Sequence, residues 1–260
     1  MKSVILSTIL CVLFVFSAKS DFLPEDNSDT YGLKYGESIA GMPPSTPKID
    51  GKLNDWQYAV WVAFDSEKEL LRGKGIWKGK DDLTMTWSTM YDEDTFYFAA
   101  AVRDDEFTPA ANPAESWKGD TIFLYIDWEK VGAGQPACKP NFALIKNKAH
   151  ITDYSAVKNA DLPNSDIAIV PTPELGKGGM IYEVAMPFKW LTKVKIEQGD
   201  EVGFTPGYEE GVDDLEKKGG LVFMDWHGLN QTIQQILAYL SFKDRLLLIQ
   251  LANWQFRGDN

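Results

Sequence analysis

Residues 84–102 read TMTWSTMYDEDTFYFAAAV, and their alternation decides the fold class. Met85, Trp87, Thr89 and Tyr91 fall on one side of an extended chain, with Thr84, Thr86 and Ser88 on the other. Successive side chains of a strand point to opposite faces, so this is the period of a strand with one apolar face. Asp92-Glu93-Asp94 interrupts the run, and the alternation resumes with Phe96, Phe98, Ala100 and Val102 on one face. Two strands joined by so short an acidic turn pair antiparallel as a hairpin. Further strands are expected at 121–127, 142–146, 167–170, 180–186, 201–207, 222–226 and 245–250. Pro187 closes one of them, because it has no N–H for the next ladder bond, and 187–191 is expected to turn helically. Residues 230–240 carry weak helical spacing. Many short strands with few helical patterns imply an all-β, antiparallel β-sandwich.

The remainder of the chain sets the boundaries of that domain. Residues 21–48 are rich in Pro, Gly, Ser and Asp and read as a linker or edge segment. The sandwich is expected over 49–251, with 252–260 as a tail, and no internal repeat of fixed period is present. At the other end, Lys2 precedes an apolar run over 4–16, and Ala18-Lys19-Ser20 offers small residues ahead of Asp21. That is the pattern of a cleaved secretory signal, too short for a spanning helix. Cys11 follows Leu10, a poor residue for a lipid-attachment box. Cleavage after residue 20 removes Lys2 and Lys19, leaving 24 basic against 38 acidic residues, a charge of −14. It also leaves Cys138 as the single thiol, so no internal disulfide is possible. Past Asp21 no apolar run approaches the ~20 residues of a membrane span. The mature protein is expected to be secreted or periplasmic and free of the membrane. Its acidity would repel a nucleic-acid backbone, and two Cys with two His exclude a disulfide scaffold or a multi-ligand zinc site.

Four stretches, in order, resemble the family 9 carbohydrate-binding modules and their sandwich relatives. Ile49-Asp50-Gly51-Lys52-Leu53-Asn54-Asp55-Trp56 is similar to the family's opening Ile-Asp-Gly signature with a nearby Trp. The hairpin within 87–104 is similar to the second. Trp117-Lys118-Gly119-Asp120, leading into 121–127, resembles the third, and 182–191 followed by 199–204 the fourth. The resemblance implies a jelly-roll-like sandwich and a noncatalytic sugar-binding role, of the kind often attached to glycoside hydrolases.

A pyranose ring has C–H groups on its faces and hydroxyls around its rim, so its site needs a flat aromatic platform edged by hydrogen-bonding groups. Trp117 stands where sugar-binding members place one such platform, after the loop-like Asn112-Pro113-Ala114-Glu115-Ser116. The alternative for Trp117 is a structural plug at one end of the sandwich. With Trp117, the resemblance assigns Asp120 and Tyr239 to the carbohydrate site. Three departures stand out. Sugar-binding members carry a Glu where this chain has Phe123, and an Arg and an Asn where the nearest match is Phe142-Ala143-Leu144-Ile145. The second stacking Trp is missing, since 227–240 offers only Tyr239 as an aromatic.

Other residues carry lesser expectations. Asp104-Asp105-Glu106, Glu209-Glu210 and Asp213-Asp214 have the hard oxygen donors that Ca²⁺ takes, without EF-hand spacing. Glu183 points away from the face of Tyr182, Val184 and Met186 and is expected as a solvent-facing or rim carboxylate. Relatives of this sandwich include periplasmic haem carriers. A haem-binding reading would use Phe123 and Ile145 as apolar walls, with Met224 or His227 as axial ligands. A glycoside hydrolase is the remaining alternative, but no carboxylate pair can be singled out among 38 acids. Neither His150 nor His227 sits in a catalytic or metal-binding motif.

Overall fold

The computed structural model describes residues 23–129, 138–154, 160–162, 165–211, 222–225 and 238–243, with the backbone alone at 160–161, 222–225 and 238–243. The expected signal at 1–20, the strand at 245–250 and the tail lie outside these residues. Among them the chain forms β1 (Glu37–Gly41), β2 (Trp61–Phe64), β3 (Leu70–Arg72), β4 (Leu83–Tyr91), β5 (Thr95–Asp104), β6 (Thr121–Asp127) and β7 (Pro140–Ile145). It continues with β8 (Lys148–Asp153), β9 (Ala160–Asp161), β10 (Asp166–Pro171), β11 (Met180–Pro187), β12 (Glu201–Glu210), β13 (Val222–Asp225) and β14 (Ala238–Lys243). One helical turn, α1 (Phe188–Leu191), follows Pro187 as expected.

Hydrogen bonds connect eleven of these strands along one path, β10-β11-β5-β4-β1-β14-β12-β6-β7-β8-β9, while β2 pairs with β4 and β13 with β12 and β3. The path folds over on itself. Trp87 of β4 and Phe204 of β12 have ring centroids 5.6 Å apart, and Phe98 of β5 and Phe142 of β7 are 5.8 Å apart. These strands are remote along the path, so β10-β11-β5-β4 and β12-β6-β7-β8 are two facing layers, joined through β1 and β14. Between them lies the core that the alternation marked, with Met85, Trp87, Phe96, Phe98, Ala100 and Val102 all buried. Emptying one of these aromatic positions costs roughly 3–5 kcal/mol.

Three expectations are corrected. The segment 21–48 is not a linker with an edge strand: β1 lies inside the sheet, parallel to both β4 and β14, with Ile39 and Ala40 buried. Parallel pairing with distant strands leaves no local signal, and the turn-formers around β1 masked it. Residues 238–240, within the weak helical spacing, belong to β14. Glu183 does point away from the core face, but not to solvent.

The outer face of β4, β5 and β11 carries a second layer built from the Ile49–Trp56 stretch. Trp56, Ala59 and Trp61 pack there on Met90, Tyr97 and Ala99. Glu183 is 0% exposed beneath this cover. Its Oε2 accepts the N–H groups of Asp50, Gly51 and Lys52 at 3.0, 2.6 and 3.0 Å, and its Oε1 accepts the Trp56 indole N–H at 2.8 Å. Three successive N–H groups converge only because the chain turns sharply at Gly51, whose φ is +79°. A Cβ there would also lie 2.2 Å from Val170 Cγ2. The Asp-Gly signature is thus an anion-binding turn closed on a buried glutamate.

Candidate functional site

The loop between β5 and β6 leaves one end of the sandwich and carries Trp117. Within it Pro113–Lys118 forms 3₁₀ turns, with proline at the start, where its missing N–H costs nothing. Trp117 is 45% exposed, so it is no plug of the interior. The turn beneath it is pinned. Tyr154 donates its hydroxyl to the Pro113 carbonyl at 2.6 Å and accepts the Ser116 N–H at 3.2 Å. Around the indole, Lys118 Nζ lies 5.2 Å from the ring centroid and pairs with Glu115, which also accepts Asn112 Nδ2–H at 2.8 Å. Those bonds hold the Glu115 carboxyl below its usual range, first through Lys118 and then Asn112. An exposed indole edged by an ammonium, a carboxylate and an amide is an arrangement that can meet the face and rim of a sugar.

Asp120 supports this loop from below. It is 1% exposed, its Oδ2 accepts the Thr108 N–H and its Oδ1 the Gly211 N–H, both at 2.8 Å. The Asp120 N–H donates in return to the Thr108 carbonyl at 2.8 Å. The carboxylate therefore ties both ends of the loop to each other and to the end of β12. Burial, followed by the charge of Asp104, pushes its pKa well up. The backbones here are in contact: a Cβ on Gly119 would lie 2.3 Å from Ala110 N.

Tyr239 is not brought beside Trp117. Its backbone in β14 pairs with Gly203 of β12, which pairs with Asp127 at the far end of β6. The Trp117 loop enters β6 at Thr121, which faces Glu209. Six residues of strand separate Gly203 from Glu209, roughly 20 Å.

Beside the Asp120 anchor, Asp104, Asp105 and Glu210 each offer an oxygen within 4.8 Å of the others. Asp104 is buried, with Oδ1 accepting the Glu106 N–H at 2.9 Å and Oδ2 the Tyr208 hydroxyl at 3.0 Å. Burial is the main cause that raises Asp104 to about 6, Glu209 to about 7 and Glu210 to about 8. Of the expected calcium candidates, Asp104 and Asp105 are thus together, while Asp213 and Asp214 lie outside the described residues. Among the described residues these three carboxylates are a partial set of the six to eight oxygens that Ca²⁺ takes.

Phe123 is buried, with its ring centroid 5.0 Å from that of Tyr125. Ile145 packs with Ala110 and Ala143. His227 lies outside the described residues, and Met224 is described by backbone only. Sequence reading missed Tyr154, which meets the turn across 38 and more residues, and the clamp on Glu183.

Residues 49–235 match the family described as "Carbohydrate family 9 binding domain-like". No curated protein matches the chain. Among solved structures, a family 9 carbohydrate-binding module from Caldicellulosiruptor kristjanssonii in complex with cellotriose is similar, with TM-score 0.55 and 14% identity. The likeness covers 80% of this chain and 94% of that one. The same organism's module in complex with glucose gives TM-score 0.53 and 14% identity, over 80% and 96% of the two chains. At such identity the likeness speaks for the fold. The family match spans most of the chain and takes in all four signature stretches, the Glu183 clamp and the Trp117 loop; the chain belongs to the family 9 carbohydrate-binding domain-like proteins.

Proposed function

We propose that this is an exported, noncatalytic carbohydrate-binding protein that serves polysaccharide breakdown by holding a sugar ring against Trp117. The observation that carries this reading is the 45% exposure of Trp117 on a turn fixed by Tyr154 and Asp120. Stacking is worth most when the aromatic is already held in place, because little side-chain or loop entropy remains to be lost on binding. Lys118, Glu115 and Asn112 supply donors and acceptors at the edge. The solved relatives hold cellotriose and glucose, so these sugars are the first probes. Calorimetric titration with cellotriose should show binding that Trp117→Ala weakens at least tenfold, with the melting temperature unchanged. Removing an exposed ring takes away about 1 kcal/mol or more of stacking without opening a core cavity. Equal affinity in the variant would defeat the reading.

A further inference from the structure

The turn that closes on Glu183 contains a chemically labile pair. Aspartate followed by glycine isomerises in water more readily than other aspartyl pairs, because glycine has no Cβ to shield its nitrogen, and residues 50–51 are the single Asp-Gly pair of the chain. In that reaction the Gly51 nitrogen attacks Asp50 Cγ. An N–C bond forms, and the N–H proton leaves with the carboxyl's hydroxyl as water. Hydrolysis of the resulting succinimide puts the water back at one of its two carbonyls. One opening restores aspartate. The other routes the main chain through Cβ and Cγ, giving isoaspartate with one extra backbone atom. Glycine is required at 51, since its φ is +79° and a Cβ would lie 2.2 Å from Val170 Cγ2. Asp50 is exposed, so water reaches its carboxyl.

The same turn restrains the reaction. Glu183 Oε2 accepts the attacking group, the Gly51 N–H, at 2.6 Å, the shortest of the three bonds it takes from this segment. The N–H groups of Asp50 and Lys52, at 3.0 Å each on the same oxygen, fix the peptide planes on both sides. The group under attack is held as well. Asp50 Oδ1 accepts the Lys52 N–H at 3.1 Å, and Oδ2 lies 3.7 Å from Lys52 Nζ. Closing the five-membered ring requires the nitrogen to give up its N–H and the carboxyl to leave Lys52, so both sets of bonds are lost on the way.

We propose that Asp50-Gly51 is an isoaspartate modification site, kept closed in the folded protein by the Glu183 carboxylate and opened when the Ile49–Trp56 layer lifts. Conversion there reinforces itself. The extra backbone atom at residue 50 moves the three N–H groups out of convergence, so Glu183 is left buried with its donors gone, which costs stability and favours further lifting. The site acts on the cover layer and is independent of what the sandwich binds.

Prolonged incubation of the protein at neutral pH, followed by peptide mapping for isoaspartate at residue 50, tests it. Native wild type should accumulate isoaspartate at least about tenfold more slowly than the same chain in urea, because reaction is confined to the locally open fraction. Glu183→Gln has one acceptor oxygen in place of two, so it can serve the turn or the Trp56 indole but not both. It should isomerise faster than wild type while still folded. Trp56→Phe removes the indole donor and leaves the Gly51 N–H held, so its rate should stay close to that of wild type. One measurement needs no variant and stands even where Glu183→Gln does not fold. In wild type under graded urea, isomerisation should rise in step with hydrogen exchange of the Gly51 amide. Native wild type reacting at the unfolded rate, a folded Glu183→Gln no faster than wild type, Trp56→Phe as fast as Glu183→Gln, or isomerisation that rises while the Gly51 amide stays protected would each overturn the proposal.

Discussion

Glu183 carries four donors on one carboxylate, and the consequences of removing it can be worked out donor by donor. Glu183→Ala leaves the half-buried N–H groups of Asp50, Gly51 and Lys52 and the buried Trp56 indole without their acceptor. A buried donor left unsatisfied costs about 1–3 kcal/mol, so a loss of at least 3 kcal/mol is expected in chemical denaturation. Trp56 emission should shift to longer wavelength as the cover loosens. A variant as stable as wild type would show that water replaces the carboxylate at no cost. The sequence placed Glu183 off the core face correctly and its burial wrongly, for a physical reason. Alternation reports which face a residue takes, whereas the layer over that face comes from a segment more than 120 residues away. The exposure of Trp117 was legible because the loop composition of 112–116 brings the following residue to the surface, whereas its assignment to a site came from the resemblance. Asp120 was assigned to the carbohydrate site by the resemblance, and its two N–H partners, one of them 91 residues on, exist only in the folded chain.

At the level of elements, the hairpin of β4 and β5 and strands β6, β11 and β12 were readable, since each runs for seven or more residues, and in the hairpin the apolar residues alternate. β1 was not. It has five residues, two of them glycine or alanine, and its neighbours in the sheet are β4 and β14. This makes opposite expectations for a truncation. A linker is dispensable, but β1 closes the junction between the two layers, and its loss unpairs five positions of β14 and two of β4. A chain beginning at residue 45 should therefore lack a cooperative thermal transition and bind a dye for exposed apolar surface. A sharp melt near the full-length value would return residues 21–44 to the role of a linker.

For the molecule as a whole, acidity is a liability, and three carboxyls with raised pKa values, Asp104, Glu209 and Glu210, lie at the end of the sandwich that bears the Trp117 loop. Asp104, Glu209 and Glu210 bind protons more tightly folded than unfolded, at about 6, 7 and 8, because burial opposes their charge. Unfolded, the same groups titrate near pH ~4. A carboxyl whose pKa rises on folding favours the folded state fully below its unfolded value. That advantage is then lost as pH climbs through the folded value. The window of loss thus runs from about pH 4 to about pH 8, and Glu210 is the last to ionise. The melting temperature, measured in chelator-containing buffer, should accordingly be higher at about pH 5.5 than at about pH 8.5. Glu210→Gln replaces the charge by a neutral amide of the same shape, so it should raise the melting temperature at the alkaline end and flatten the profile. Added salt should recover little of this alkaline loss, since burial causes it and buried charges are screened far less than exposed ones. A melting temperature that rises with pH across this window would mean that the three carboxylates are ionised in the folded protein and held by a partner.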